Sequence, residues 1–379
     1  MYQLWIFDII FMVMVKMTKF QENKAFRILY FIGIFLIVAN HGNGGGFDLL
    51  YNWFPAYSFH LGLFIFCSGY FIIQKKDEKI LSFIKKNIFK LLVPLYVLNL
   101  FYGLIAMYLR MKGFDFGIPI SFKSLFILPI YDGHQFILNL ATWFIWPLFI
   151  LKVSHIFLIK LIDKNKLNCI IYFAFSIILG MVGINLAMNG YNYGYYLLFV
   201  RLLYFLPFFA LGIFYRKVIE PIDRIPNLLY FLIILTISLI LIYIFGGVTS
   251  YTPSWCNDFD NIYHPIISGF LAIFFWLRVS KVLEPSLGNN KFVLLVSKNT
   301  FSIMVHHLTG FFILNTFYYK LSNKVFTNFD LYAYKHNIFY AYYPKNLYQF
   351  GILYVIVGLV FSLLIKNISS TIIKQFKKA

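Results

Sequence analysis

Apolar runs close to twenty residues long recur along the whole chain, separated by short polar stretches. At about 1.5 Å per residue, roughly 20 apolar residues cross the ~30 Å hydrocarbon layer of a bilayer as a helix. The runs predict ten membrane helices, near residues 27–43, 53–73, 91–109, 142–162, 168–187, 197–215, 227–247, 264–283, 299–318 and 348–367. They are continuous rather than alternating, which argues against a membrane β-barrel. The expected fold class is an all-α polytopic membrane protein, its transmembrane domain spanning 27–367. No internal repeat is visible, so the inverted-repeat pattern of many transporters is missing.

Composition agrees. The chain is 61% hydrophobic and 12% charged, with a mean hydropathy of +0.76; soluble domains are about 25% charged. Lys and Arg orient the spans. One side holds the N-terminal segment 1–26, the stretches 74–90, 152–166, 216–226 and 278–298, and a basic tail at 368–379. With the span ends facing it, that side carries 25 of the 33 Lys and Arg residues. The fourteen acidic residues divide almost evenly between the sides and lie outside the spans. Both termini are therefore expected in the cytoplasm of a bacterial cell, with the protein multi-pass in its plasma membrane. The net charge of +19 is mostly this bias, and a nucleic-acid partner does not follow from it. Met1–Met17 reads either as an interfacial helix or as sequence preceding a true start at Met17. Cys67, Cys169 and Cys256 have no close spacing and form neither a disulfide framework nor a metal site.

Chemistry enters with the first span. Arg27 and His41 lie fourteen residues apart, roughly 21 Å along the axis and within about 40° of one another around it. Ionisable residues inside a span usually face the bundle interior and mark a functional site. A neutral imidazole can take a proton from a sugar hydroxyl, or can itself carry an acyl group. A histidine hydrogen-bonded at a helix end is the plainer alternative.

Three segments resemble the membrane acyltransferase 3 family, the type-3 acyltransferases that O-acylate cell-surface glycans. They are the opening helix ending in Asn40-His41-Gly42, the run Phe59-His60 to Ser68-Gly69-Tyr70-Phe71, and Ser297-Lys298-Asn299-Thr300-Phe301-Ser302 to His306-His307. Weaker echoes are Thr142-Trp143-Phe144, Phe83 through Pro94, and Phe205 through Gly212. All follow the family order over residues 24–318. The Phe-His start of the second segment is nearest the fucose-acetylase-like and intercellular-adhesion branch.

The resemblance implies transfer of acetyl from cytoplasmic acetyl-CoA to a hydroxyl of an extracytoplasmic glycan. It implies a catalytic role for His41; His307 is the second catalytic candidate, shaping the site or orienting a partner, or else it caps the packing of the ninth helix, and no metal is expected. The family places an arginine eleven positions before the first-helix histidine. Here that position is Tyr30, with Arg27 one turn earlier, so either Arg27 and Tyr30 are the donor-side residues of a shifted site, or the arginine role is lost or moved. His306 points about 100° away from His307, so at most one of the pair faces the same centre.

Lys75, Lys76, Lys79, Lys85, Lys86 and Lys90 form the densest basic patch. They either attract anionic lipid or dock coenzyme A phosphates, with Lys85, Lys86 and Lys90 as candidates. His60 lines the acceptor side or sits in the core. Arg201 snorkels to the surface or touches an anionic glycan or acyl carbonyl. Ser68 and Gly69 fit close helix packing better than chemistry. Asn43-Gly44-Gly45-Gly46 is flexible enough for substrate to approach its backbone. The competing classes are a polysaccharide exporter or flippase and an assembly scaffold.

Overall fold

The computed structural model describes residues 23–42, 53–72, 79–162, 165–247, 251–321, 329–339 and 350–376. Met1–Met17, Asn43 to Gly46, and Lys75 and Lys76 lie outside the described residues. Each predicted span coincides with a helix. These are α1 (Lys24–Gly42), α2 (Ala56–Tyr70), α3 (Ile80–Met111), α4 (Ile145–Ile162) and α5 (Lys166–Met188). They continue with α6 (Gly194–Phe214), α7 (Asn227–Phe245), α8 (His264–Val282), α9 (Thr300–Leu321) and α10 (Gly351–Phe376). No named strand occurs among the described residues, only one isolated bridge between Thr252 and Asn257. The protein is an all-α polytopic membrane protein.

Among the described residues, eight helices are long and apolar enough to cross a membrane by length and composition alone. The other two are α2, with 15 residues, and α9, interrupted by Thr300, Ser302, His306, His307 and Thr309. Polar side chains are costly against lipid and face protein instead, and Ser302, His306 and His307 are all buried. Two boundaries differ from expectation. α3 begins at Ile80 rather than near 91, because an amphipathic turn carrying Lys85 and Lys86 continues into the span without a break. α10 runs on to Phe376, so the basic tail expected from 368 is largely a continuation of the last helix.

α1 is the hub. It packs against α2, α8, α9, α10 and the short helix Lys291–Lys298. At the opposite extreme, only 11% of the most apolar stretch of α7 is buried; it packs on α8 and otherwise presents Leu and Ile outward. α2 and α6 cross with their backbones in contact. A methyl group on Gly69 would lie 2.0 Å from the carbonyl oxygen of Phe209, and one on Gly212 would lie 2.1 Å from that of Phe66. Small residues allow such an approach between membrane helices, so Gly69 is a packing residue.

α3 contains a π-helical turn at Ile88–Leu92, just before Pro94. Proline has no N–H for the carbonyl one turn back, and a wider turn accommodates that loss. The connector after α3 contains a short helical stretch, Lys123–Ile127 and Leu128–Tyr131, in which Phe126 is exposed, like Phe122 just before it, while Pro129 is buried.

Candidate active site

His41 and His307 come from helices distant in sequence and meet. Nδ1 of His41 lies 2.8 Å from Nε2 of His307, and the rings stack at 5.0 Å with 12° between their planes. The close approach has a local cause. Gly42 lies against Tyr354 of α10, where an added methyl would come within 2.8 Å of its Cβ. Gly310 and Gly358 bring α9 and α10 together one turn beyond His307. Phe339 closes over His41, with ring centroids 5.7 Å apart.

The pair has a fixed hydrogen-bond direction. Nδ1 of His307 lies 2.9 Å from the carbonyl oxygen of Ile303, which can only accept. His307 therefore carries its proton on Nδ1 and presents a lone pair at Nε2. His41 must then donate from Nδ1, which leaves its Nε2 unprotonated. A backbone carbonyl thus orients one histidine, and that histidine orients the other; such orientation of a base by a third group is a feature of acid–base and nucleophilic sites.

Beneath the pair lies a cavity of about 690 Å³. Its walls are mainly apolar, from Ile34 and Ile37 of α1, Leu61 and Phe64 of α2, and Val97, Leu98 and Phe101 of α3. Lys90, Lys298 and Lys366 also line it, with Asn299, Ser302 and Ser369. Lys90 lies in the basic-side half of α3, Lys298 ends the short helix Lys291–Lys298 that leads into α9, and Lys366 lies in the basic-side half of α10, so they mark one end of the cavity. Ile37 lines the wall and His41 follows it by one turn, while His41 itself is not part of the lining. The π-turn of α3 carries two lining residues, Lys90 and Leu91.

The other residues singled out in the sequence divide. Tyr30 lines the cavity and packs edge-on against Phe64 at 5.4 Å. Arg27 does not line it, and its Nη1 donates to the carbonyl of Gly288 at 2.5 Å. Lys90 is in the wall, whereas Lys85 and Lys86, on the preceding turns, are outside the lining. Ser68 lines the cavity but carries none of the features of an activated serine. His60 is buried with Nδ1 at 2.5 Å from the carbonyl of Ala56. Arg201 is 1% exposed. Its guanidinium donates to the backbone carbonyls of Tyr131, Asp132 and Ser254 and stacks 4.5 Å over Trp143. It neither snorkels nor reaches a surface; it ties two connectors to α6.

Sequence reasoning missed Lys298 and Lys366 as partners of Lys90, and it missed Tyr102. The hydroxyl of Tyr102 sits 2.5 Å from Nδ1 of His306, which lines the cavity. The two adjacent histidines of α9 do point to different partners. Among the described residues, no group of three or more His, Cys, Asp and Glu side chains could hold a metal ion, and the three cysteines are free and buried.

An independent comparison bears on this arrangement. The domain profile of the acyltransferase-3 family, described as an acyltransferase domain, matches residues 23–366. The chain belongs to this family. No curated protein and no solved structure matches it. The matched span takes in α1 through most of α10, and with them both histidines of the pair and all three lysines of the cavity. This acyltransferase is therefore a membrane acyltransferase whose cavity and histidine pair both fall within the matched domain.

Proposed function

We propose that the protein moves an acetyl group from cytoplasmic acetyl-CoA to a hydroxyl of an extracytoplasmic glycan. The observation that carries this reading is the cavity with lysines at one end and a directed histidine pair one turn beyond the other. Coenzyme A has the matching form, with anionic phosphates at one end and a slender pantetheine arm carrying the thioester at the other. Lysine serves as a point charge for phosphate, and Lys90, Lys298 and Lys366 stand where the phosphates would lie. The distribution of Lys and Arg supports placing that end in the cytoplasm.

The chemistry follows from the tautomers. Nε2 of His41 accepts the proton of a sugar hydroxyl as its oxygen bonds to the thioester carbon. The carbon–sulfur bond then breaks, and the departing thiolate takes the proton back through His41. The products are an O-acetyl ester and free coenzyme A, with every proton accounted for. General-base assistance of this kind contributes about 10²–10⁴-fold.

The test uses the full-length protein in vesicles with acetyl-labelled acetyl-CoA and candidate glycans. Transfer of label in the wild type and its loss in His41→Ala, at equal membrane insertion, is the expected result. Glycan movement across the vesicle without acetylation would instead favour an exporter. Cysteine labelling checks the orientation: labelling at 74–90 from outside intact cells would invert it.

A further inference from the structure

His306 is not used by the steps above, yet its ring lines the cavity and is held by a partner on another helix. Tyr102, from α3, places its hydroxyl 2.5 Å from Nδ1 of His306. Thr309, one turn along α9, donates its Oγ1 hydrogen to the same hydroxyl oxygen at 3.1 Å. A tyrosine hydroxyl has one proton, and accepting from Thr309 leaves that proton for Nδ1. His306 is then the Nε2–H tautomer. With Nδ1 occupied, Nε2 is the nitrogen that faces the cavity.

The two neighbouring histidines thus carry opposite polarity. His307, fixed by a carbonyl acceptor, makes a lone pair available to His41 and so renders Nε2 of His41 a base. His306, fixed by a hydroxyl donor, offers a proton donor to the cavity. The rest of the deep wall is apolar, with Ile34, Ile37, Leu61, Phe64 and Met304. A single N–H directed into an apolar pocket stabilises negative charge far better than it would in water.

We infer that Nε2–H of His306 hydrogen-bonds the thioester carbonyl oxygen of the acyl donor and stabilises the oxyanion formed when the sugar hydroxyl attacks. This rests on the acyl-CoA reading of the cavity. His306 keeps its proton throughout: the hydrogen bond shortens as charge develops on oxygen and relaxes when the carbon–sulfur bond breaks. Tyr102 and Thr309 are positioning residues, acting only by holding the ring and its tautomer. The catalytic centre is then split between an electrophile-activating histidine below, His306 of α9, and a nucleophile-activating histidine above, His41 of α1, which is oriented by His307, the next residue after His306.

The decisive measurement is the infrared carbonyl stretch of acetyl-CoA labelled with ¹³C at the thioester, bound to full-length protein in nanodiscs. Wild type should lower that frequency relative to acetyl-CoA in an apolar solvent. His306→Phe should abolish the shift and lower kcat at least tenfold, with the affinity for acyl-free coenzyme A unchanged. His306→Gln, which keeps an N–H near the Nε2 position, should restore part of both. Tyr102→Phe preserves the ring and packing and should give an intermediate shift and kcat. An identical carbonyl frequency in wild type and His306→Phe, with acetyl-CoA still bound, overturns the assignment. Failure of wild type to bind acetyl-CoA at all overturns the functional reading itself, and this assignment with it.

Discussion

The carbonyl of Ile303 lies 2.9 Å from Nδ1 of His307, and that contact decides which nitrogen of His41 is a base. His307→Gln can still accept from His41 Nδ1 through its side-chain carbonyl. It should retain transfer to within about tenfold of wild type, whereas His307→Ala and His41→Ala should each lose about 10²–10⁴-fold, the usual scale of acid–base catalysis. Steady-state transfer on equal amounts of inserted protein measures this. Equal losses in the Gln and Ala variants would show that His307 does not set the tautomer.

Three lysines from three helices share one cavity wall, and two earlier lysines of α3 do not. Converting Lys90, Lys298 and Lys366 together to Gln should raise the KM for acetyl-CoA more than it lowers kcat, as removal of uniform binding does. Lys85→Gln with Lys86→Gln should change the KM less than twofold. Donor titrations at fixed glycan separate the two outcomes, and the reverse order would place the phosphates on the outer surface of α3.

Gly69→Ala should destabilise the protein by at least about 1–3 kcal/mol, the usual cost of overpacking, because its methyl would lie 2.0 Å from a backbone oxygen that cannot rotate away. Gly247→Ala is the matched control, since nothing lies within 4 Å of its added methyl. Thermal unfolding in detergent should therefore separate the two variants clearly, and equal midpoints would mean α2 and α6 do not cross as described.

Arg201→Lys keeps the charge but cannot serve three backbone carbonyls and stack on Trp143 as a planar guanidinium does. The expected outcome is a lower unfolding midpoint with the KM for glycan unchanged in the folded fraction. A raised glycan KM at unchanged stability would return Arg201 to the substrate.

The ten helices were legible because lipid imposes a length and an apolar composition on each. The boundaries were less so: Ile80 to Leu91 is amphipathic, and nothing in its composition separates an interfacial turn from a span that begins early. His41 and His307 were legible as residues, through the cost of an imidazole in a span and the resemblance of their segments to the acyltransferases. Their 2.8 Å contact was not, since it depends on glycines of α9 and α10 that could as easily serve any crossing. The divergence of His306 from His307 followed from the helical step alone. Tyr102 as its partner did not, because a tyrosine in an aromatic-rich span carries no mark until the fold brings α3 against α9. Arg201 misled for a related reason: a cation near a helix end has the same sequence signature whether it reaches solvent or backbone carbonyls.

The cavity stops one turn short of His41. Under the proposed function the bulky parts of both substrates stay on the sides they came from. The nucleotide remains behind the lysines, the sugar remains beyond the histidines, and only a two-carbon fragment changes hands across a partition as thick as one turn of helix. Such a device has no need to swing open alternately to either side, and it can keep the membrane sealed to ions throughout its cycle.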